Sequence, residues 1–366
     1  MTLRRKRIKV LVVDDSSMFR QLLTNVLSTD EDIDVVGAAA GAAEARAMMS
    51  LHRPDVITLD LEMPGENGLD LLKDYMAKTP VGTLVISAHT QRGASMTIKA
   101  LEAGAVDVID KSLLSLGDRS ETGNVCSVVR RVRAASMARV AKSGATVAAS
   151  PAPIFKGVAD DWVVAIGSST GGVQALTVLL PVFPEDCPAT VIVQHMPEGF
   201  TAAFAKRLNT LCKCEVKEAE DGDQLRSGLV LIAPGGDRHM SVEKKRSGLY
   251  VRLTEGEHVC FSRPSVDVLF KSLAETCGPS LSAAILTGMG RDGAEGLLNI
   301  RRAGGRTFTQ DEPTSEVYGM PARAWENGAS EAQVPLSNIS KTLLGSVGTK
   351  PAPHSTRTGG IALSQS

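Results

Sequence analysis

Aromatic residues are scarce: two Trp, three Tyr and eight Phe make up 4% of the 366 residues. Long apolar runs are missing too. The longest are strand-sized and broken by charge or glycine, so no membrane-inserted segment is expected. The six cysteines, at positions 126, 187, 212, 214, 260 and 277, form no Cys-x-x-Cys pair. Cys212-Lys213-Cys214 is spaced too tightly for an ordinary zinc framework, which leaves reduced thiols in a cytoplasmic protein as the expectation. Excess charge of one sign is absent as well, with a net charge of −1, and nothing here suggests a nucleic-acid partner. The basic start, Arg4 to Arg7, leads into a short apolar run that ends at Asp14-Asp15, unlike a secretory signal. What is present is an ordinary soluble composition, 43% hydrophobic and 22% charged, at a length that suits about two domains.

In the N-terminal third, apolar strand-like segments at residues 10–13, 34–38, 56–59, 84–87 and 106–109 alternate with amphipathic segments. Phe19, Leu22, Leu23, Val26 and Leu27 line one face of the first of these. Continuous apolar strands joined by helices predict a parallel sheet covered on both faces, a doubly wound (βα)5 α/β domain. Ligands in such sheets bind beyond the carboxyl ends of the strands. Those ends carry Asp14-Asp15, Asp60, Ser87 and Lys111. Each acid alone reads equally well as a helix cap or a solvated loop residue. Together, converging carboxylates repel, and a hard divalent cation such as Mg²⁺ is the natural remedy.

The segments VLVVDDS, ITLDLEMPGENGLDLL, VISAHT and GAVDVIDKS resemble a two-component receiver domain over residues 8–130. The resemblance implies a flavodoxin-like fold in which Asp60 accepts a phosphoryl group from a histidine kinase. It further implies that Asp14, Asp15, Asp60 and the backbone carbonyl of Glu62 hold Mg²⁺, and that Ser87 and Lys111 contact the phosphoryl group. Two positions depart from the usual pattern: Ser112 stands where a cis proline is common, and Val108 where many receivers carry a switch aromatic. The expected organisation is a receiver at 1–130, an Ala/Ser/Gly/Val-rich linker at 131–157, a catalytic domain at 158–348 and a disordered tail at 349–366.

The second domain is organised around residues 162–180, WVVAIGSSTGGVQALTVLL. A buried strand runs into Gly167-Ser168-Ser169-Thr170-Gly171-Gly172 and then into a helix. Gly167-x-Ser169-x-Gly171 fits the pattern that holds a nucleophilic serine on a tight strand-to-helix turn, with helix N–H groups nearby for an oxyanion. A plain glycine-rich turn is the unadorned alternative. A phosphate loop fits poorly, because Val173 stands where lysine is required.

Three further apolar strands, at 189–194, 229–233 and 283–286, run into His195, into Asp237 and His239, and into Asp292. These groups gather where a doubly wound parallel sheet collects its functional residues. A Ser-His-Asp site requires only that the three groups meet, in any chain order. Position favours His195 over His239 and leaves Asp292, Asp237 and Asp311 open as the acid. His258, among Glu255 and Glu257, reads as solvated. Gly288-x-Gly290-x-x-Gly293 also satisfies a dinucleotide fingerprint, with Asp311 downstream, but it comes late in its sheet rather than in the first βαβ unit.

AIGSSTGG, VIVQHMPEGFT, VKEAEDGD, IAPGGDRHM, RPSVDVLF and AILTGMGRDGAEGL, in that order behind a receiver, resemble the chemotaxis protein-glutamate methylesterase family. The resemblance implies Ser169 as nucleophile, His195 as base and Asp292 as orienting acid, with Thr170 and the N–H of Met289 at the oxyanion. It implies hydrolysis of glutamate γ-methyl esters, and deamidation of glutamines, on chemoreceptors, with no cofactor in the esterase site. The alternatives are an inactive adaptor output domain and a dinucleotide enzyme using the GMGRDG loop.

Overall fold

The computed structural model describes residues 6–88, 90–114, 121–140 and 162–349. Its first unit alternates β1 (Ile8–Val13), α1 (Ser17–Leu27), β2 (Ile33–Ala39), α2 (Ala42–His52), β3 (Val56–Asp60), α3 (Gly68–Lys78), β4 (Gly82–Ser87), α4 (Gln91–Glu102), β5 (Asp107–Asp110) and α5 (Glu121–Met137). The strands form one parallel sheet in the order β2-β1-β3-β4-β5. Local chemistry starts the helices. The Ser16 hydroxyl accepts the N–H of Phe19, and the Asn67 side chain accepts that of Asp70. Gly68 is required where α3 begins, because a Cβ there would lie 2.1 Å from the carbonyl oxygen of Asp60.

Helix α5 runs past residue 130, to Met137, and buries Val132, Ala134 and Ala135. The first residues of the expected linker are therefore helical and continue the first unit. Small apolar residues look like linker composition, yet they also suit a helix face pressed closely on a sheet. Most of the expected linker and tail lies outside the described residues.

The second unit comprises β6 (Val163–Ser168), α6 (Gly172–Leu179), β7 (Ala189–Gln194), α7 (Phe200–Asn209), β8 (Glu215–Glu218), β9 (Leu229–Ile232), β10 (Arg238–Lys245), β11 (Gly248–Glu255), α8 (Val266–Cys277), β12 (Leu281–Ile285), α9 (Ala294–Arg302), β13 (Arg306–Gln310), α10 (Met320–Glu326), β14 (Ala332–Val334) and α11 (Leu336–Gly345). Seven strands make a parallel sheet in the order β14-β13-β12-β6-β7-β9-β8, and β10 and β11 form a separate antiparallel hairpin. From β6 the chain builds the sheet outwards through β7, then returns to add β12 on its other side. The crevice at the carboxyl ends of these neighbouring strands is a topological switch point, where open α/β sheets bind ligands.

The two units share one continuous buried apolar cluster. Leu101, Ala105 and Val108 of the receiver belong to it together with Leu176, Met196 and Phe204. Polar contacts reinforce the joint. The Arg207 guanidinium donates to Glu102 at 2.7 Å, and the Gln174 amide donates to the carbonyl of Ala105 at 2.9 Å.

Candidate active site

Strands β6 and β7 pair in parallel with Ser168 opposite Gln194, so the next residues, Ser169 and His195, leave the sheet side by side. Strand β12 flanks β6 on the other side, and the loop after it carries Asp292. The His195 Nε2 and Asp292 Oδ2 lie 2.8 Å apart. Asp292 is 2% exposed, yet every one of its needs is met. Oδ1 accepts from the Ser265 hydroxyl at 2.7 Å and the Asp267 N–H at 3.1 Å, and Oδ2 also accepts from the Val266 N–H at 2.8 Å. Burial alone would raise its pKa, but the bonds from His195, Ser265 and Val266 outweigh that and hold it below the ordinary carboxylate range. With Nε2 turned to Asp292, the other ring nitrogen, Nδ1, faces the Ser262 hydroxyl at 3.4 Å.

The serine turn is shaped from below. The Gln194 amide accepts from the Ser168 hydroxyl at 2.6 Å and donates to the carbonyl oxygens of Ser169 and His195. Gly172 is needed there, since a Cβ would come within 2.0 Å of Gln194 Oε1, and Gly171 takes a left-handed φ of 79°. Among the described residues the Ser169 hydroxyl has no hydrogen-bond partner, nor do the N–H groups of Thr170 and Met289. Gly288 lets the β12 loop close on the turn, for a Cβ there would lie 2.8 Å from that of Ser169.

The other acids and imidazoles are occupied elsewhere. His239 is buried, accepting the Ser265 N–H at Nδ1 and meeting the carbonyl of Glu257 at 2.8 Å. Asp311 caps its own loop through the hydroxyl and N–H of Thr314, and Asp237 is exposed beside Arg238. Glycine-rich residues 288–293 do lie between a strand and a helix, but their aspartate is turned onto His195.

Ser169 lines a narrow crevice, with room for little more than a water molecule, whose far wall is the receiver, through Leu101, Val106 and Val108. There the receiver grips the serine turn directly. The Thr170 hydroxyl donates to Asp107 at 2.9 Å, and the Gly171 N–H donates to the carbonyl of Val106 at 3.2 Å. Arg131 braces Asp107 from behind at 2.9 Å. These contacts, with Ser262, Ser265 and Gln194, escape a reading of the sequence. Only Ser265 leaves a trace, as an N-cap three residues before Val268.

At the receiver's own strand ends, Asp14, Asp15 and Asp60 offer oxygens within 4.8 Å of one another. Lys111 lies 2.6 Å from Asp60 and 3.0 Å from Asp14. Burial, aided by Asp14, raises the Asp60 pKa against the pull of Lys111. Buried Asp14 Oδ2 still lacks a hydrogen bond, because the lysine is close but poorly aligned. An orphaned carboxylate oxygen beside two further acids fits a hard divalent cation. Glu62 donates its N–H to Asp60 at 3.1 Å with its side chain in solvent, and Ser87 is buried nearby.

Comparison with known proteins agrees with both units. Residues 164–343 match the CheB methylesterase family, and residues 10–115 match the response regulator receiver domain. Protein-glutamate methylesterase/protein-glutamine glutaminase 2 of Cereibacter sphaeroides is 53% identical over 336 residues, covering 92% of this chain and 91% of its own length. Protein-glutamate methylesterase/protein-glutamine glutaminase 1 of Caulobacter vibrioides is 47% identical over 338 residues, covering 92% and 97%. The crystal structure of the Thermotoga maritima CheB methylesterase catalytic domain is 37% identical with a TM-score of 0.50, covering 51% of this chain and 98% of that one. The chain belongs to the CheB methylesterase family and carries a response-regulator receiver domain ahead of the esterase.

Proposed function

We propose that this response regulator hydrolyses glutamate γ-methyl esters, and deamidates glutamines, on a chemoreceptor. The observation that carries the reading is the pair of buried Asp292 and half-buried His195 beside the serine turn. Ser169 attacks the ester carbonyl while His195 takes its proton. Since Asp292 accepts from Nε2–H, the base is Nδ1, and Asp292 holds that tautomer and stabilises the imidazolium as it forms. The Thr170 and Met289 N–H groups, with no partner of their own, receive the oxyanion. Methanol leaves with the proton from His195. Water, deprotonated by the same nitrogen, then releases glutamate from the acyl-enzyme. A glutamine follows the same path with ammonia as leaving group.

Asp60 is the phosphoryl acceptor, with a histidine kinase of the chemotaxis system as donor. Asp14, Asp15, Asp60 and the Glu62 carbonyl would hold Mg²⁺, which supplies positive charge for phosphoryl transfer. Ser87 and Lys111 receive the phosphoryl oxygens. Lys111 must then leave its bond to Asp60, and that change at the strand ends is the trigger that loosens the receiver from the serine turn. A ligand shifts such an equilibrium only by its differential affinity for the two states.

The deciding experiment is methanol release from a methylated chemoreceptor, with and without acetyl phosphate. Slow basal release, faster release with the phosphodonor, and loss of both in Ser169→Ala are expected. Absence of release from the wild-type chain under either condition would favour an inactive adaptor, and thermal stabilisation by a nicotinamide cofactor would favour a dinucleotide enzyme.

A further inference from the structure

Beside His195, residues 259–262 form a two-residue hairpin loop, closed by Val259 N–H to Ser262 O at 3.1 Å and Ser262 N–H to Val259 O at 2.9 Å. Both central residues have positive φ, Cys260 at 50° and Phe261 at 64°. Such a turn normally takes Asn-Gly or Asp-Gly, and a bulky aromatic in the left-handed region is a costly choice. Strain of this kind concentrates at functional sites and persists only where surrounding structure enforces it. The enforcement is visible. Arg263 ties the base of the loop to the carbonyl oxygens of Gly236 at 3.0 Å and Gly256 at 2.7 Å. Cys260 turns inwards, its sulfur 3.8 Å from Asp267. Phe261 points the other way.

A single exposed apolar side chain is common on protein surfaces and means little by itself. Phe261 differs in position. At 80% it is the most exposed of the large apolar side chains among the described residues, and its neighbour Ser262 lies 3.4 Å from His195 Nδ1. The face of its ring is not empty either: the Arg130 guanidinium of receiver helix α5 sits 5.4 Å from the centroid. The ring thus lies at the rim shared by the catalytic histidine and the receiver, where a substrate polypeptide must arrive and the receiver must give way.

We propose that Phe261 is a substrate-docking residue that packs on an apolar side chain of the polypeptide next to the esterified glutamate, and that Arg130 stacks on one face of its ring while the receiver is packed on the esterase. This inference rests on the methylesterase reading of Ser169. A small ester fills the catalytic centre without reaching the hairpin tip, so the two substrate sizes separate docking from chemistry.

The test compares wild type, Phe261→Asn and Phe261→Leu as full-length chains activated with acetyl phosphate. The substrates are membranes carrying a methylated chemoreceptor and, separately, p-nitrophenyl acetate. Asparagine suits the turn's backbone while removing the ring. With that variant, kcat/KM on the receptor is expected to fall by about tenfold, mainly through KM, as for loss of one aromatic anchor. Hydrolysis of p-nitrophenyl acetate should stay unchanged, and Phe261→Leu should recover most of the receptor activity. Normal receptor turnover by Phe261→Asn, or an equal loss on both substrates, would overturn the proposal. Failure of the underlying reading looks different, because the wild-type chain itself would then process neither substrate.

Discussion

The two strand-end sites of this molecule solve the problem of a buried carboxylate in opposite ways. Asp292 is neutralised from within, by a ring N–H, a hydroxyl and two backbone N–H groups. Asp14, Asp15 and Asp60 are left with one lysine among three acids and an unbonded oxygen. Two such charges 4 Å apart repel by about 4 kcal/mol at an effective dielectric of ~20, so one ammonium does not balance the receiver cluster. The Asp292 carboxylate needs no charge from outside the protein. The receiver cluster lacks a balancing charge, and the cation and phosphoryl group proposed for it would act on that imbalance.

The sharpest way to break this contrast is at the esterase. Ser169→Ala should lower methanol release by several orders of magnitude, leaving about 10³–10⁴-fold over water from binding and oxyanion groups. Asp292→Asn should cost about 10⁴-fold with the fold intact, as expected where the tautomer of the histidine is lost. The pH profile of the wild type bears on the same carboxylate. Its folded pKa is depressed, so its stabilising contribution is present above the ordinary value of 3.8 and is lost as pH falls through the lower folded value. Acid titration of near-ultraviolet circular dichroism should therefore show this loss well below neutrality, and Asp292→Asn should remove it.

Metal removal separates the halves. Chelation should abolish phosphorylation of Asp60, read by mass spectrometry with acetyl phosphate, and leave hydrolysis of p-nitrophenyl acetate untouched. A parallel loss of ester hydrolysis would mean that the esterase site is not self-contained. A smaller effect is expected at the joint: Asp107→Ala removes the acceptor of the Thr170 hydroxyl and should raise basal demethylation several-fold.

The smallest effect concerns Glu316, beside Gly171, whose backbone carbonyl accepts the Arg139 N–H. Burial, then the nearby Asp107 carboxylate, pushes its pKa up to about 8. A raised carboxyl pKa means that the packed form holds the proton more tightly. Packing is accordingly strongest at low pH and weakens as pH climbs from the ordinary value of 4.5 towards about 8. Basal activity should rise modestly across that window, and Glu316→Gln, neutral throughout, should flatten the rise.

Much of this architecture is legible in sequence because parallel strands are buried on both faces and write themselves as apolar runs, as at β3, β4 and β7. The hairpin β10–β11 leaves a weaker mark, since charged residues such as Glu243, Lys244 and Lys245 interrupt its apolar positions. Strand β14 is three residues long and carries too little pattern to read. At the site, Ser169 and His195 stand out because each follows a strand, whereas position alone leaves Asp292 level with Asp237 and Asp311, and only the family resemblance separates them. The residues that complete it do so over distance. Thr170 meets Asp107 across 63 positions, and Ser262 meets His195 across 67, and no local periodicity encodes either contact.

The interlock of receiver and serine turn is tested most directly by amide hydrogen exchange at Thr170 to Gln174, in the full chain with Mg²⁺, before and after acetyl phosphate. The Gly171 N–H bonded to the Val106 carbonyl should be protected before phosphorylation and lose protection afterwards, in step with the gain in methanol release. Unchanged protection in a chain whose activity has risen would contradict the interlock.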